Sequence, residues 1–425
     1  MKWRKGLTRT RNGLVGALDV GCSKVCCFIA RADEDGAPRV IGIGQQASRG
    51  VKRGAVVDLG GAEAAIRNAV HAAEQMAGAT IDRVLVNLSG GHPASSAVGV
   101  EIDINGHEVG EADLRRAFEH GHQAHGVNGH GENARQLIHS IPVGYRIDGN
   151  RGIRDPRGMC GEHLGVSIHF VTAATGVVRN LTTCVQRCHL DVAGYVVSPY
   201  ASGLAALVED EMELGVTAID MGGGTTTIAV FYEGTVVFAD VVPVGGIHVT
   251  NDIARGLSTP VAHAERMKTL YGHAMASGAD DRNMIDVPQV GEDDDRHAHQ
   301  VPRSLLVGII QPRLEETFEL VRSQLEASGV GRIAGRRVVL TGGACQLPGM
   351  GELAGLILDK QVRIGRPARV EGLAEATAGP AYATCAGLLI YALSEDKAAP
   401  RKALAQAGEP DGPFGRFGNW IREHF

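Results

Sequence analysis

The stretch Asp220-Met221-Gly222-Gly223-Gly224-Thr225-Thr226 places a carboxylate, three glycines and two hydroxyls side by side. Glycine lets backbone N–H groups turn toward an anion with no Cβ in the way. Thr225 and Thr226 add hydroxyl donors. Asp220 then faces a divalent cation; magnesium keeps several of its waters, so the contact would run through water. A second turn, Asp19-Val20-Gly21-Cys22-Ser23-Lys24, offers another carboxylate, the flexible Gly21, the Ser23 hydroxyl and the Lys24 ammonium. A glycine run alone is a weak signal. Two phosphate clamps with opposed aspartates suit a nucleotide triphosphate with magnesium.

The elements that must hold these turns repeat. Residues 15–30 read VGALDVGCSKVCCFIA and residues 216–231 read VTAIDMGGGTTTIAVF, with Asp19 matching Asp220 and Gly21 matching Gly222 at one offset, 220 − 19 = 201. Each segment is an apolar run, an aspartate, a glycine turn and a second apolar run, the pattern of a β-hairpin. Strands near Phe28–Ala30 and Val40–Gly44, a helix at about Gly61–Ala77 and the strand Val84–Leu88 follow the first turn. Strands near Thr226–Tyr232 and Val236–Val242 and a helix around Thr250–Leu257 follow the second. Two β-β-β-α halves predict two pseudo-symmetric domains, with a ligand between the turns.

Two further segments fit the remainder of a nucleotide. In Val338-Val339-Leu340-Thr341-Gly342-Gly343-Ala344 a β-branched strand meets Gly342 and Gly343, where a flat base or ribose could lie on the backbone. An ordinary strand-to-helix turn is the alternative. Glu265 and Lys268 stand three apart and share a helix face, able to hold ribose hydroxyls and a base edge or simply to form a solvated ion pair.

The whole chain is consistent with this. It has 425 residues, 44% hydrophobic and 21% charged, enough for two large domains or about three smaller ones. That composition excludes a mainly disordered chain, and no apolar run is long enough for a membrane-spanning helix. A formal charge of −6 argues against a nucleic-acid binder. Glycine is frequent, at 58 residues, while aromatics are only 4%. The basic start, Met1 to Arg11, is followed by no apolar segment with a cleavage site, so it is read as no secretory signal. The eight cysteines form no Cys-x-x-Cys pair and are read as reduced, buried thiols. Cys184 and Cys188 are read as one core-facing helical stripe rather than a metal site. His107, His120, His122, His125, His130 and His139 are read as a polar surface, and the acidic stretch from Glu292 to Asp295 as a solvated loop.

Together these motifs resemble the actin/Hsp70/sugar-kinase ATPase superfamily, and within it the FtsA family of bacterial cell-division proteins. The resemblance runs over nearly the whole chain, through SIPVGYRID (Ser140–Asp148), DPRGMCGEHLGVSIHFVTA (Asp155–Ala173), EDEMELGVTAIDMGGGTTTIAVF (Glu209–Phe231), VTNDIARGL (Val249–Leu257) and VVLTGGACQLPGM (Val338–Met350). It implies an α/β, two-lobed actin-like ATPase fold with the family's inserted subdomain 1C. Subdomain 1A would be 12–88 and 166–200, 1C 89–165, 2A 201–235 and 302–393, and 2B 236–301. The connecting helices would be Pro199–Leu207 and Pro380–Leu389. It also implies that ATP and magnesium bind at the residues named above, and that the chain self-associates head to tail. By the same resemblance it would tether FtsZ to the cytoplasmic face of the membrane at the division septum and help recruit later division proteins. Chaperone relatives carry an acidic residue before the proline of the first connecting helix; here Ser198 stands there, and serine cannot act as a carboxylate base. At most a slow ATPase is expected, with Asp19 and Asp220 holding metal and water. A sugar-kinase-like phosphotransferase and another actin-like scaffold, such as the pilus-assembly protein PilM, are the alternatives.

The last segment supplies the membrane expectation. Residues 394–412 are polar, with alanine and proline and no core-forming period, as in a flexible linker. In 413–425, Phe414, Phe417, Trp420, Ile421 and Phe425 follow helical spacing, while Arg416, Asn419, Arg422 and Glu423 take other faces. A helix docked on its own protein is one reading. The other is an interfacial helix with Arg416 and Arg422 near anionic lipid. Full burial of one large apolar side chain yields roughly 1.5–3 kcal/mol, against about 1–2 kcal/mol of backbone entropy per ordered residue. One helix would bind marginally, and a filament presenting many would bind tightly.

Overall fold

The computed structural model describes residues 13–32, 37–126, 134–291 and 299–395. The proposed membrane helix with nearly all its linker, the acidic stretch 292–295 and His130 lie outside them.

In the first lobe a five-stranded sheet runs in the order Asp191–Val197, Arg83–Leu88, Leu14–Val20, Lys24–Ala32, Pro38–Ala47. Leu14–Val20 is buried along its whole length, as expected of a central strand covered on both faces. It forms an antiparallel hairpin with Lys24–Ala32, Asp19 opposite Cys26. The helix Leu59–Ala77 is capped at its start by Asp58, which accepts from Gly60 N–H, and stopped by Gly78 in the left-handed conformation. Its inward stripe is rich in alanine, and the strand beneath presents Gly42 and Gly44. A Cβ on Gly44 would stand 1.8 Å from the Ala69 carbonyl, so the helix lies directly on the sheet backbone.

The second lobe repeats the plan. Its sheet runs Thr235–Val242, Thr226–Tyr232, Val216–Met221, Arg337–Thr341, Gln361–Ile364. Asp220 faces Thr227 across the hairpin and Thr341 on the parallel side. One face packs on the helices Gly246–Gly256, Val261–Tyr271, Arg303–Ala327 and Met350–Leu358 around Ile219, Ile253, Leu306 and Phe318. The other meets the helix Ser198–Ala206, which packs in turn on the helix Ala383–Glu395; that second helix lies on the first-lobe sheet and is preceded by a short turn at Pro380–Tyr382. These two helices cross between the lobes where Gly387 touches Ala201; a Cβ there would be 1.7 Å from the Ala201 carbonyl. Both connecting segments thus fall where the resemblance put them.

The insertion has its own four-stranded sheet, Ala94–Asp103, His163–Ala174, Arg135–Ile147, Asn150–Ile153, covered by the helix Glu111–His125. Its outer part has its own core, built on Leu114, Phe118, Leu164, Ile168 and Phe170, while Ile138, Ile141, Val171 and Ala173 of its strands join the main core. Two expected boundaries differ from the sheet membership. His163–Ala174 pairs with Ala94–Asp103 and Arg135–Ile147 far beyond residue 165. Thr235–Val242 is a strand of the main second-lobe sheet, so residue 236 does not start a separate unit. The shared core of that lobe, which includes Ile285 and Val287, draws no line there either.

The thiols and histidines also depart from expectation. Cys160 is exposed, and Cys22 and Cys188 are half-buried. His139 is buried: its ring nitrogen accepts from Val197 N–H at 3.1 Å and its ring packs on Tyr200 and Tyr391. Burial lowers its pKa to about 3, so it is a neutral strut, not part of a polar surface. His122 and His125 pack on Phe170. Among the described residues no helix is long and apolar enough to cross a membrane.

Candidate functional site

A cleft of about 1220 Å³ opens between the lobes, and both aspartate turns line it. Asp19, Gly21, Ser23, Lys24, Asp220, Gly222, Gly223, Gly224, Thr225, Glu265, Lys268, Gly342 and Gly343 all face this one space. Thr226 does not. Successive residues of a strand point to opposite faces, so Thr225 and Thr227 face the cleft while the Thr226 hydroxyl donates to the Val244 carbonyl at 2.8 Å. Thr226 therefore fixes a loop and is corrected from phosphate donor to support. Thr227 takes its place: its hydroxyl is buried in the cleft wall without a protein partner, as is that of Ser48 on the opposite lobe.

The glycines serve contact between the two turns. None of Gly222, Gly223 and Gly224 adopts a positive φ. Instead, a Cβ on Gly223 would come within 2.9 Å of Ser23, and one on Gly224 within 2.5 Å of the Cys22 sulfur. The loops of the two lobes touch through positions where only hydrogen fits. Gly245 closes on the same loop, where a Cβ would be 2.6 Å from the Gly222 carbonyl. Beyond it, Gly246 N–H donates to the Gly222 carbonyl and Ile247 N–H to the Gly223 carbonyl, at 3.0 and 2.8 Å. Gly245 and Gly246 were missed in the sequence because a glycine pair after a strand reads as a plain turn. Gly342 does need its conformation, φ +88, and a Cβ there would meet the Asp220 carboxylate at 2.3 Å. Only Gly343 of that pair has room for a Cβ, with the Ala381 Cβ 3.8 Å away.

Asp19 and Asp220 are each about 8% exposed. Burial pushes the Asp19 carboxyl up to about 7, with Lys24 pulling it down and Asp220 raising it further. Burial also raises Asp220, against the hydrogen bonds of Thr384 and Ser202 and the Lys24 charge. Thr384, on the second connecting helix, donates to Asp220 at 2.7 Å. The Lys24 ammonium lies 3.4 Å above the Tyr382 ring centre. Two buried carboxylates with one nearby cation form a site that a divalent metal would complete. Asn87 accepts from Val20 N–H at 2.7 Å and donates to the Ser198 hydroxyl at 3.1 Å, tying the first turn to the connecting helix. Glu265 and Lys268 pair with each other at 2.7 Å and both reach Thr250, with Lys268 also donating to the Gly246 carbonyl. They form the ion pair that the spacing allowed, on the cleft wall. The carboxylates of the described residues that line the cleft are Asp19, Asp220 and Glu265. The donor set fits phosphates with a divalent cation: glycine backbone, unpartnered hydroxyls, an ammonium and two opposed acids.

Comparison with known proteins follows the same division. A family model for "Cell division protein FtsA" matches residues 217–387, and one for the "SHS2 domain inserted in FTSA" matches 90–172. The cell division protein FtsA of Agrobacterium fabrum is 47% identical over 437 residues, covering 99% of this chain and 97% of that protein. The FtsA of Escherichia coli is 33% identical over 428 residues, covering 98% and 99%. Among solved structures, a chain of the PilM-PilN type IV pilus biogenesis complex superposes with a TM-score of 0.63 at 16% identity, covering 92% of this chain and 99% of that one. MreB5 of Spiroplasma citri bound to ADP gives 0.52 at 13% identity, covering 92% and 98%. At these identities the two structures show a shared actin-like fold alone.

Proposed function

The chain belongs to the FtsA family of cell division proteins, and from that premise we propose that it is an ATP-binding, self-associating scaffold that ties FtsZ to the cytoplasmic face of the membrane. The observation that carries the nucleotide part is the meeting of the two aspartate turns in one cleft, with both acids buried and glycine at each point of contact. In this reading Gly21, Ser23, Lys24 and Gly222–Thr225 hold phosphates, and Gly343 with the Glu265–Lys268 pair flanks the nucleoside. Asp19 and Asp220 would hold magnesium through water, and the ion would supply positive charge between these acids and the phosphates. Thr227 and Ser48 join them as hydroxyls that need a partner.

ATP then acts chiefly as a ligand that sets the relation of the lobes. Ser198 offers no base, and its hydroxyl already meets Asn87. A phosphotransferase would need a further carboxylate beside an acceptor pocket, which supports the scaffold over the kinase reading. The insertion, with its own core, is the proposed self-association module, and residues 413–425 the proposed membrane helix. FtsZ, later division proteins and anionic lipid are the partners this reading requires. Equilibrium dialysis tests its first step: Asp220→Ala should lose at least tenfold in Mg-ATP affinity while staying folded by circular dichroism. Unchanged affinity would rule out this cleft as the nucleotide site.

A further inference from the structure

The insertion grows from the first lobe but is hydrogen-bonded to the second. Ser95, on the insertion's edge strand Ala94–Asp103, accepts from Ala239 N–H and donates to the Ala239 carbonyl, both at 2.8 Å. Ala239 lies on Thr235–Val242, the edge strand of the second-lobe sheet. A bulge at Val237 turns the Val236 carbonyl to the same edge, where it meets His169 Nδ1 at 3.0 Å. The other ring nitrogen, Nε2, lies 2.9 Å from the Ser95 hydroxyl. A carbonyl only accepts, so the ring proton sits on Nδ1 and Nε2 is left to accept from Ser95. The single Ser95 proton is thus shared between Nε2 and the Ala239 carbonyl. His169 and Ala239 are each about 1% exposed, and Ser95 is half-buried at the rim of the junction. A second bridge between the same bodies lies at the surface, where Arg154 of the insertion pairs with Glu213.

The strand held this way leads straight into the cleft. Three residues after Ala239 it ends at Val242, and the chain continues through Val244, which Thr226 holds, to Gly245 and Gly246 on the Gly222–Gly224 loop. On the other side, the root of the insertion is pressed on the first turn. A Cβ on Gly90 would be 2.2 Å from the Gly54 carbonyl, and Gly54 N–H donates to the Cys22 sulfur at 3.2 Å. Both ends of the insertion's contact therefore terminate on phosphate loops, one in each lobe.

We propose that Ser95 and His169 form a latch through which the inserted domain and the nucleotide cleft sense one another. A ligand that fixes Gly245 and Gly246 anchors one end of Thr235–Val242 and so steadies the latch at the other. By linkage, the latch must tighten the ligand by the same factor. The inference rests on the nucleotide reading, and its test separates the two.

Hydrogen exchange at Ala239 and Mg-ATP affinity are measured in the full chain, in the wild type, Ser95→Ala and Ser95→Thr. Ser95→Ala should speed Ala239 exchange at least tenfold and weaken Mg-ATP by about three- to tenfold. Ser95→Thr, which keeps the hydroxyl, should restore most of both. In the wild type Mg-ATP should slow Ala239 exchange at least threefold. Mg-ATP binding of equal strength in all three proteins, with Ala239 exchange indifferent to it, would overturn the latch and leave the nucleotide reading intact. A wild type that binds no Mg-ATP would overturn both.

Discussion

Asp19 and Asp220 set burial against function. An acid whose folded pKa lies above its unfolded value binds its proton more tightly when folded. Its contribution is full below the unfolded value of 3.8 and is lost as pH rises through about 7. With each unit worth about 1.4 kcal/mol, the ionised Asp19 costs the fold at most about 4 kcal/mol at pH 8. Asp19→Asn should therefore raise the melting temperature of the metal-free protein at pH 8, with little gain at pH 4, while weakening Mg-ATP. A metal-free melting temperature at pH 8 unchanged by the substitution would mean that Asp19 is not strained by burial. Both aspartates were legible in the sequence because an acid after an apolar run and before a glycine turn has one structural reading. The roles of neighbouring threonines were not: which of Thr225, Thr226 and Thr227 faces the cleft depends on strand phase, and the sequence offers three hydroxyls in a row.

The helices that join the lobes depend on glycine in a way that propensity alone would misjudge. Gly to Ala at an exposed helix position gains about 1 kcal/mol. At Gly387 the new Cβ would lie 1.7 Å from the Ala201 carbonyl, so the helices must part. Overpacking of this kind costs about 1–3 kcal/mol or more, which outweighs the gain. Gly387→Ala should lower the urea midpoint, and a raised midpoint would show that the crossing is looser than described. The repeated hairpins and a helix at about Gly61–Ala77 were readable from the sequence, while the Asp58 and Gly78 caps that set its limits at Leu59–Ala77 emerged from the structure. The subdomain limits at 165 and 236 were not, because composition changes at loops whereas sheet membership is decided by long-range pairing. Glu265 and Lys268 were readable as helix neighbours; that they also gather Thr250 and the Gly246 carbonyl follows from the packing of two helices.

At the scale of the molecule, the insertion leaves and re-enters the first lobe at one place: Ala174 N–H donates to the Gly91 carbonyl at 2.9 Å. Joining 91 to 174 removes the insertion's own core together with Ile138, Ile141, Val171 and Ala173 of the main core, so the shortened protein should be less stable. The shortened protein should fold and bind Mg-ATP more weakly by the latch factor, but it should no longer sediment as an assembly. Undiminished self-association would exclude the insertion as the contact. The proposed membrane binding belongs to the same scale, since one short helix would bind marginally and many on one filament would bind tightly. Trp420→Glu should release the protein from anionic vesicles while sparing Mg-ATP. The most direct measurement is co-sedimentation of purified FtsZ with anionic liposomes in the presence of this protein and Mg-ATP. FtsZ should pellet with the wild type and remain in the supernatant with Trp420→Glu. FtsZ left in the supernatant with the wild type, or pelleted equally by both, would contradict the proposed tether.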